Sequence, residues 1–239
     1  LGLGCDDNQL TSLDVSNNTA LVGLTCSSNQ LTTLDLSLNV ALSELFCFDN
    51  QLISLDVSQN TALTDLYCYN NQLTSLDVSN NTALTKLSCY SNQLTVLDVS
   101  QNTALTFLNC QSNQLTSLDV SQNTALTFLN CQTNQLTILD VSQNTALTSL
   151  FCGNNQLTNL DVRNGNNQNF LSFNVTSNPN LTCINVDDVT YSTNNWTNID
   201  AQHYFSTNCF APNSVQEIIN TISLYPNPTN ENVTISIEN

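Results

Sequence analysis

Positive charge is almost missing from this chain. Lys and Arg total 2 against 19 Asp and Glu in 239 residues, a formal net charge of −17. Nucleic acid and anionic membrane surfaces are thereby excluded as partners, because holding phosphate needs a Lys/Arg surface that this chain cannot assemble. No apolar run approaches the roughly 18 residues of a spanning helix, so no membrane span is expected. Met is absent altogether, and the chain is expected to be a processed or trimmed product with any secretion signal upstream of Leu1. Histidine occurs once, at His203, with no Ser or Cys placed beside it in a recognisable nucleophile motif. No catalytic residue, cofactor or enzyme activity is therefore expected. Charged residues make up 9% of the chain and hydrophobic ones 40%, so the core is adequate and the surface consists mostly of Asn, Gln, Ser and Thr.

What is present in abundance is repetition. Cysteines recur every 21 residues from Cys5 through Cys26, Cys47, Cys68, Cys89, Cys110 and Cys131 to Cys152. Asparagines follow the same interval from Asn8 to Asn155, and aspartates from Asp14 to Asp161. A fixed period of this length indicates a solenoid in which each coil buries its apolar face against its neighbours. Within one unit, Leu63-x-x-Leu66-x-Cys68-x-x-Asn71 is followed by Leu73-x-x-Leu76-x-Val78-x-x-Asn81. Alternation such as Leu-x-Cys points every second side chain inward on a short strand. The asparagines are suited to the corners, where a side-chain amide can serve backbone groups that a strand ladder cannot reach.

This string resembles the leucine-rich repeat, over residues 1 to about 164. Its nested form is similar to the bacterial subclass with two half-repeats per coil. The resemblance implies a mainly β solenoid of about eight coils, with two short parallel strands in each 21-residue coil and an irregular C-terminal cap. The repeated cysteines occupy slots where the family has Leu, and a reduced, buried row is expected of them. Cys183 and Cys209 lie outside the repeat, and a disulfide between them would close the cap.

The outward aspartate row is expected to be a structural hydrogen-bonding ladder, with mutual repulsion raising the carboxyl pKa values. A weak calcium row at Asp56, Asp77, Asp98 and Asp119 is the alternative. The second half-repeat hardly varies between units, whereas the first does. All eight Phe and Tyr residues before position 165 fall on its outward positions: Phe46, Phe48, Tyr67, Tyr69, Tyr90, Phe107, Phe128 and Phe151. Aromatics gathered on one face mark a candidate contact surface for a protein or a glycan, with Glu44, Asp65 and Lys86 at its margin. Two other readings stay open: aromatics that only reinforce the stack of a structural spacer or surface-layer component, and a flat Thr lattice, including Thr74 and Thr95, suited to ice.

Beyond Arg163 the period fails. Residues 165–212 read as the cap, with Phe170-Leu-Ser-Phe173-Asn-Val175 as one degenerate coil, and 213–239 as a linker followed by a new element. There Tyr225-Pro226-Asn227-Pro228, followed by Val233, Ile235 and Ile237, resembles the opening of the C-terminal sorting domain of type IX secretion. That resemblance implies a Bacteroidetes source, export to the surface or exterior of a Gram-negative cell, and contact with the outer-membrane secretion machinery. The expected function is thus a non-enzymatic recognition or adhesion module carried by that route.

Overall fold

The 21-residue period becomes an alternation of strand and corner, one coil per unit, in a computed structural model that describes residues 1–209. The first half-repeats supply β1 (Gly2–Gly4), β2 (Gly23–Thr25), β3 (Glu44–Phe46), β4 (Asp65–Tyr67), β5 (Lys86–Ser88), β6 (Phe107–Asn109) and β7 (Phe128–Asn130). Further along come β8 (Ile138–Asp140), β9 (Ser149–Phe151), β10 (Asn159–Asp161), β11 (Ser172–Asn174), β12 (Cys183–Asn185), helix α1 (Val189–Asn195) and β13 (Tyr204–Ser206). One parallel sheet of nine strands runs β1 to β7, then β9 and β11; a second, of four, runs β8, β10, β12, β13. Register in the long sheet is one-to-one, so that Leu45, Leu66, Leu87 and Leu108 lie directly beside one another. These 209 residues form one compact unit.

Each interior column is chemically uniform. Leu66, Cys68, Leu73 and Val78 are fully buried, as are their counterparts in neighbouring coils. Burying a Leu side chain contributes about 1.5–3 kcal/mol, but no coil can do so alone. At the first corner, Asn92 donates to the Cys68, Cys89 and Tyr90 carbonyls (3.0–3.3 Å) and accepts from Leu73 N–H (3.0 Å). At the second, Asn102 donates to Val78 O (3.0 Å) and Asn81 O (2.8 Å), while its own Oδ1 has no partner among the described residues. Beside the first corner every coil carries one residue with positive φ, from Asp7 to Asn154, and none of these is glycine. Asn and Asp tolerate this left-handed geometry; the β-branched Thr133, at φ 55°, is the strained member of the row.

The solenoid is mainly β, yet the second strand forms in only two repeat coils, at β8 and β10. Elsewhere the second half-repeat meets its backbone needs without a ladder. Gln51 N–H reaches Leu31 O, Ser58 N–H reaches the Asp56 carboxylate, and Asn60 and Leu63 close tight turns. The ladder appears where the C-terminal strands β12 and β13 extend it. Covering improves there: Leu34, Leu55 and Leu118 are 7% exposed, against 1% for Leu139 and 0% for Leu160.

The segment after residue 164 continues the stack before closing it. β11 pairs with β9, and β12 with β10 and β13. Asp188 caps α1 by accepting from Tyr191 N–H at 2.9 Å. Trp196, 4% exposed, stacks on Phe173 at 4.1 Å and meets Phe205 edge-on. Cys183 and Cys209 are joined by a disulfide across 26 residues. The Tyr225-Pro226-Asn227-Pro228 string, with all of 210–239, lies outside the described residues.

Candidate functional site

The long sheet presents three outward columns. In register, Phe46 sits beside Tyr67, and Phe107 beside Phe128. The position after each cysteine adds Phe48, Tyr69 and Tyr90. These residues form two clusters where the sequence suggests a single face. Over β3–β5, Phe46 stacks on Tyr67 at 5.0 Å, and Phe48, Tyr69 and Tyr90 form a continuous stack at 4.3 and 4.2 Å with interplanar angles of 9° and 11°. Over β6–β9, Phe107 stacks on Phe128 at 4.6 Å, and Phe151 tilts against Phe128 at 5.6 Å. Between them lie Ser88 and Asn109, with Asn130 donating to Gln111 (2.9 Å).

All eight rings are half-buried. Burial, then the neighbouring Tyr90, pushes the Tyr69 hydroxyl pKa up to about 12. Lys86 bridges to Asp65 at 3.0 Å, and that carboxylate raises the ammonium's pKa. Glu44 stands exposed one coil before Asp65. Stacking occupies both faces of Tyr69 and one face each of Phe46, Phe48, Tyr67, Tyr90, Phe107 and Phe128.

The cysteine row runs directly beneath. Cys26 to Cys152 are reduced and buried, and Cys5 is half-buried. Burial pushes the Cys26, Cys110 and Cys152 thiols up to about 12 and holds Cys47, Cys68, Cys89 and Cys131 well above the ordinary thiol range. Thiolate chemistry at neutral pH is thereby suppressed.

The aspartate row corrects an expectation. Repulsion does not dominate: Asp14, Asp35, Asp56, Asp77, Asp98 and Asp119 are all held below the ordinary carboxylate range, chiefly by hydrogen bonds from the Ser two residues on. The bonds from Ser N–H are 2.9 Å long at Asp56, Asp77 and Asp98. Neighbouring aspartates raise the values by less than these bonds lower them. Among the described residues no three His, Cys, Asp or Glu side chains converge on a metal position, so Asp56, Asp77, Asp98 and Asp119 offer one carboxylate per coil and no cage.

His203 is buried in the cap. Its Nδ1 accepts from Asp200 N–H (3.1 Å), and Nε2 faces Asn178 O and Asp200 Oδ2 at 3.4 and 3.5 Å. That arrangement is a turn support. Among the described residues no helix is long and apolar enough to cross a membrane.

A model described as the LVIVD repeat matches residues 128–152, little more than one coil. No curated protein matches the chain. Solved structures do. The functional domain of InlJ from Listeria monocytogenes, described as including a cysteine ladder, is 39% identical with a TM-score of 0.66, covering 80% of this chain and 46% of that one. A leucine-rich-repeat protein of Leptospira interrogans is 23% identical with a TM-score of 0.67, over 85% and 59% of the two chains. The internalin inlF of Listeria monocytogenes is 25% identical, with a TM-score of 0.62 over 80% and 57%. The chain thus spans about half the length of the proteins it matches. Together with the uniform coil register and the buried cysteine row, these likenesses establish the fold as a leucine-rich-repeat solenoid.

Proposed function

We propose that this protein is a non-enzymatic recognition module that binds a protein partner through the aromatic face of the long sheet. The observation that carries the reading is the stacked set Phe46, Phe48, Tyr67, Tyr69 and Tyr90 on otherwise polar outward columns. A preorganised sheet loses little entropy on binding, and half-buried Tyr and Phe are typical anchors of protein interfaces. Ring edges and tyrosine hydroxyls along the stack suit the side chains of a protein partner. Phe107, Phe128 and Phe151 form a second contact on the same face. The likeness to the internalin domains supports recognition as the use of the fold.

The address belongs to the same reading. The Tyr225-Pro226-Asn227-Pro228 string and the acidic, Asn-rich surface support a surface or extracellular protein carried by type IX secretion. A spacer whose aromatics only tie coils together is the rival, favoured by the close ring stacking itself.

The test compares the native chain with a variant carrying Phe46, Tyr67, Tyr69 and Tyr90 changed to Ser, both checked for fold by circular dichroism and probed on an array of extracellular proteins. Specific binding by the native chain, lost at least tenfold in the variant, is the expected result. No specific binding by either would favour the spacer; equal binding by both would move the contact off this face.

A further inference from the structure

The aromatic stack over β3–β5 is open at its N-terminal end. Phe46 and Phe48 are stacked on one side only, against Tyr67 and Tyr69. One coil earlier stand Thr25, in register with Phe46, and Ser27, both too short to cover a ring. The sheet beside them is bare, because Gly2, Gly4 and Gly23 take outward positions of β1 and β2. They are three of the five glycines in the chain. Neither backbone nor packing requires glycine at positions 2 and 23. Their φ values are not positive, and an added Cβ would meet nothing closer than 3.9 Å at Gly2 or 3.8 Å at Gly23.

Charge is graded along the same face. The outward side chains of the first half-repeats include Asp6, Asp7, Glu44, Asp49 and Asp65, with Lys86 as the one cation. From Phe107 to Asn154 those positions carry no charge. Asp6 is fixed at the edge of the bare floor by bonds from Thr25 Oγ1 (2.6 Å) and Ser27 N–H (2.8 Å). Glu44 is exposed, its carboxylate leans over Gly23, and neither Lys86 nor Arg163 pairs with it.

We propose that this open end is a docking seat for a guanidinium, carried by an arginine side chain of a protein partner. A planar cation laid on Phe46 and Phe48 continues the stack by one layer, while the Asp6 and Glu44 carboxylates face its N–H groups. A lysine ammonium would gain the charge without the stacking. Tyr67 has a second free face, in register with Ser88, but Lys86 on the same strand repels a cation there. A second copy of this chain is not the occupant: Lys86 and Arg163, its only two cations, are paired with Asp65 and Asp161, and each copy brings a net charge of −17. The inference deepens the reading of this face as a protein contact and rests on it.

The glycines are the reporters, since their amide resonances fall apart from the rest. The full chain is titrated with a Gly/Ser peptide carrying one arginine and with its lysine and citrulline versions; citrulline keeps the planar group and removes the charge. Saturable shifts at Gly2, Gly4 and Gly23 are expected with the arginine peptide, weakening as salt rises. Lysine should bind at least threefold more weakly and citrulline should leave the resonances unmoved, with Gly153 and Gly165 as internal controls. Glu44→Gln should weaken the binding about two- to fivefold, the loss of one exposed charge pair. Gly23→Leu, which fills the floor, should abolish it in a chain whose circular dichroism is native. Silent glycines with the arginine peptide, or equal shifts with citrulline, would overturn the proposal. That failure would not touch protein-array binding that the Phe46/Tyr67/Tyr69/Tyr90 variant loses, whereas a blank array together with silent glycines would sink the protein-contact reading as well.

Discussion

The two sides of each coil share one backbone path and differ in nearly everything else. On the first half-repeat side, nine strands join in one parallel sheet and outward residues vary from coil to coil. On the second, Gln-Leu-Thr-x-Leu-Asp-Val-Ser recurs almost unchanged, yet a ladder forms only near the cap. Sequence constancy therefore does not track strand formation. The constant side holds its shape through devices that each need a particular side chain: Asp accepting from Ser N–H within a coil, and Asn reaching the carbonyls of the preceding coil. The variable side is held by backbone bonds that accept any outward residue, which leaves that surface open to carry recognition.

The largest test of this contrast compares the two asparagine corners. Asn113 donates to the Cys89, Cys110 and Gln111 carbonyls and accepts from Leu94 N–H, whereas Asn123 makes two bonds and leaves Oδ1 unpaired. In urea unfolding, Asn113→Ala is expected to cost about 3–5 kcal/mol and Asn123→Ala about 2–3 kcal/mol, following the number of buried groups orphaned. Equal costs would remove the distinction between the corners.

Next in size is the cap that carries the second sheet. Changing Cys183 and Cys209 together to Ala opens a 26-residue loop and is expected to cost about 3 kcal/mol, with hydrogen exchange rising first in β12, β10 and β8. Exchange rising first at β1–β3 would show that the second sheet does not depend on the cap.

A single backbone position gives a smaller effect. Thr133→Asn relieves a β-branched residue at φ 55° and is expected to stabilise by about 0.5–1 kcal/mol, read as a raised urea midpoint at unchanged slope. A lowered midpoint would show that Thr133 contributes packing that outweighs its strain.

The smallest effect per residue is electrostatic. Six aspartates have folded pKa values below their unfolded ones. Their contribution to stability is present above the unfolded value of about 3.9 and is lost as pH falls through the lower folded values. The melting temperature should therefore hold between pH 7 and 5 and fall below about pH 4. Asp56→Asn and Asp98→Asn keep an acceptor for Ser N–H without titrating, so the acid limb should flatten. An unchanged limb would place acid sensitivity elsewhere.

Much of this architecture was legible in the residues. The 21-residue period implies the coil, and inward Leu and Cys with corner Asn imply its interior, because those choices answer local demands of burial and hydrogen bonding. The missing second ladder was not legible. Val96-Leu97-Asp98 forms no strand while Asn159-Leu160-Asp161 does, so a β-branched outward residue does not decide it; the strands form where β12 and β13 extend the ladder. The division of the aromatics was legible only column by column, since Phe107 and Phe46 occupy different outward positions of their strands. The aromatic cluster of the cap was hidden because Phe170, Phe173, Trp196 and Phe205 are brought together by packing of separate segments; the only signal was the crowding of bulky residues after Phe170.

The one-to-one register has a consequence for how such a chain can change. Gain of 21 residues between β5 and β6 would leave every interior column continuous while moving the Tyr90 stack and the Phe107 pair apart by one strand spacing, about 4.8 Å. The distance between the two aromatic clusters is therefore adjustable in fixed steps, like marks on a ruler. Partner geometry could be matched by copy number alone, with no new side chain required.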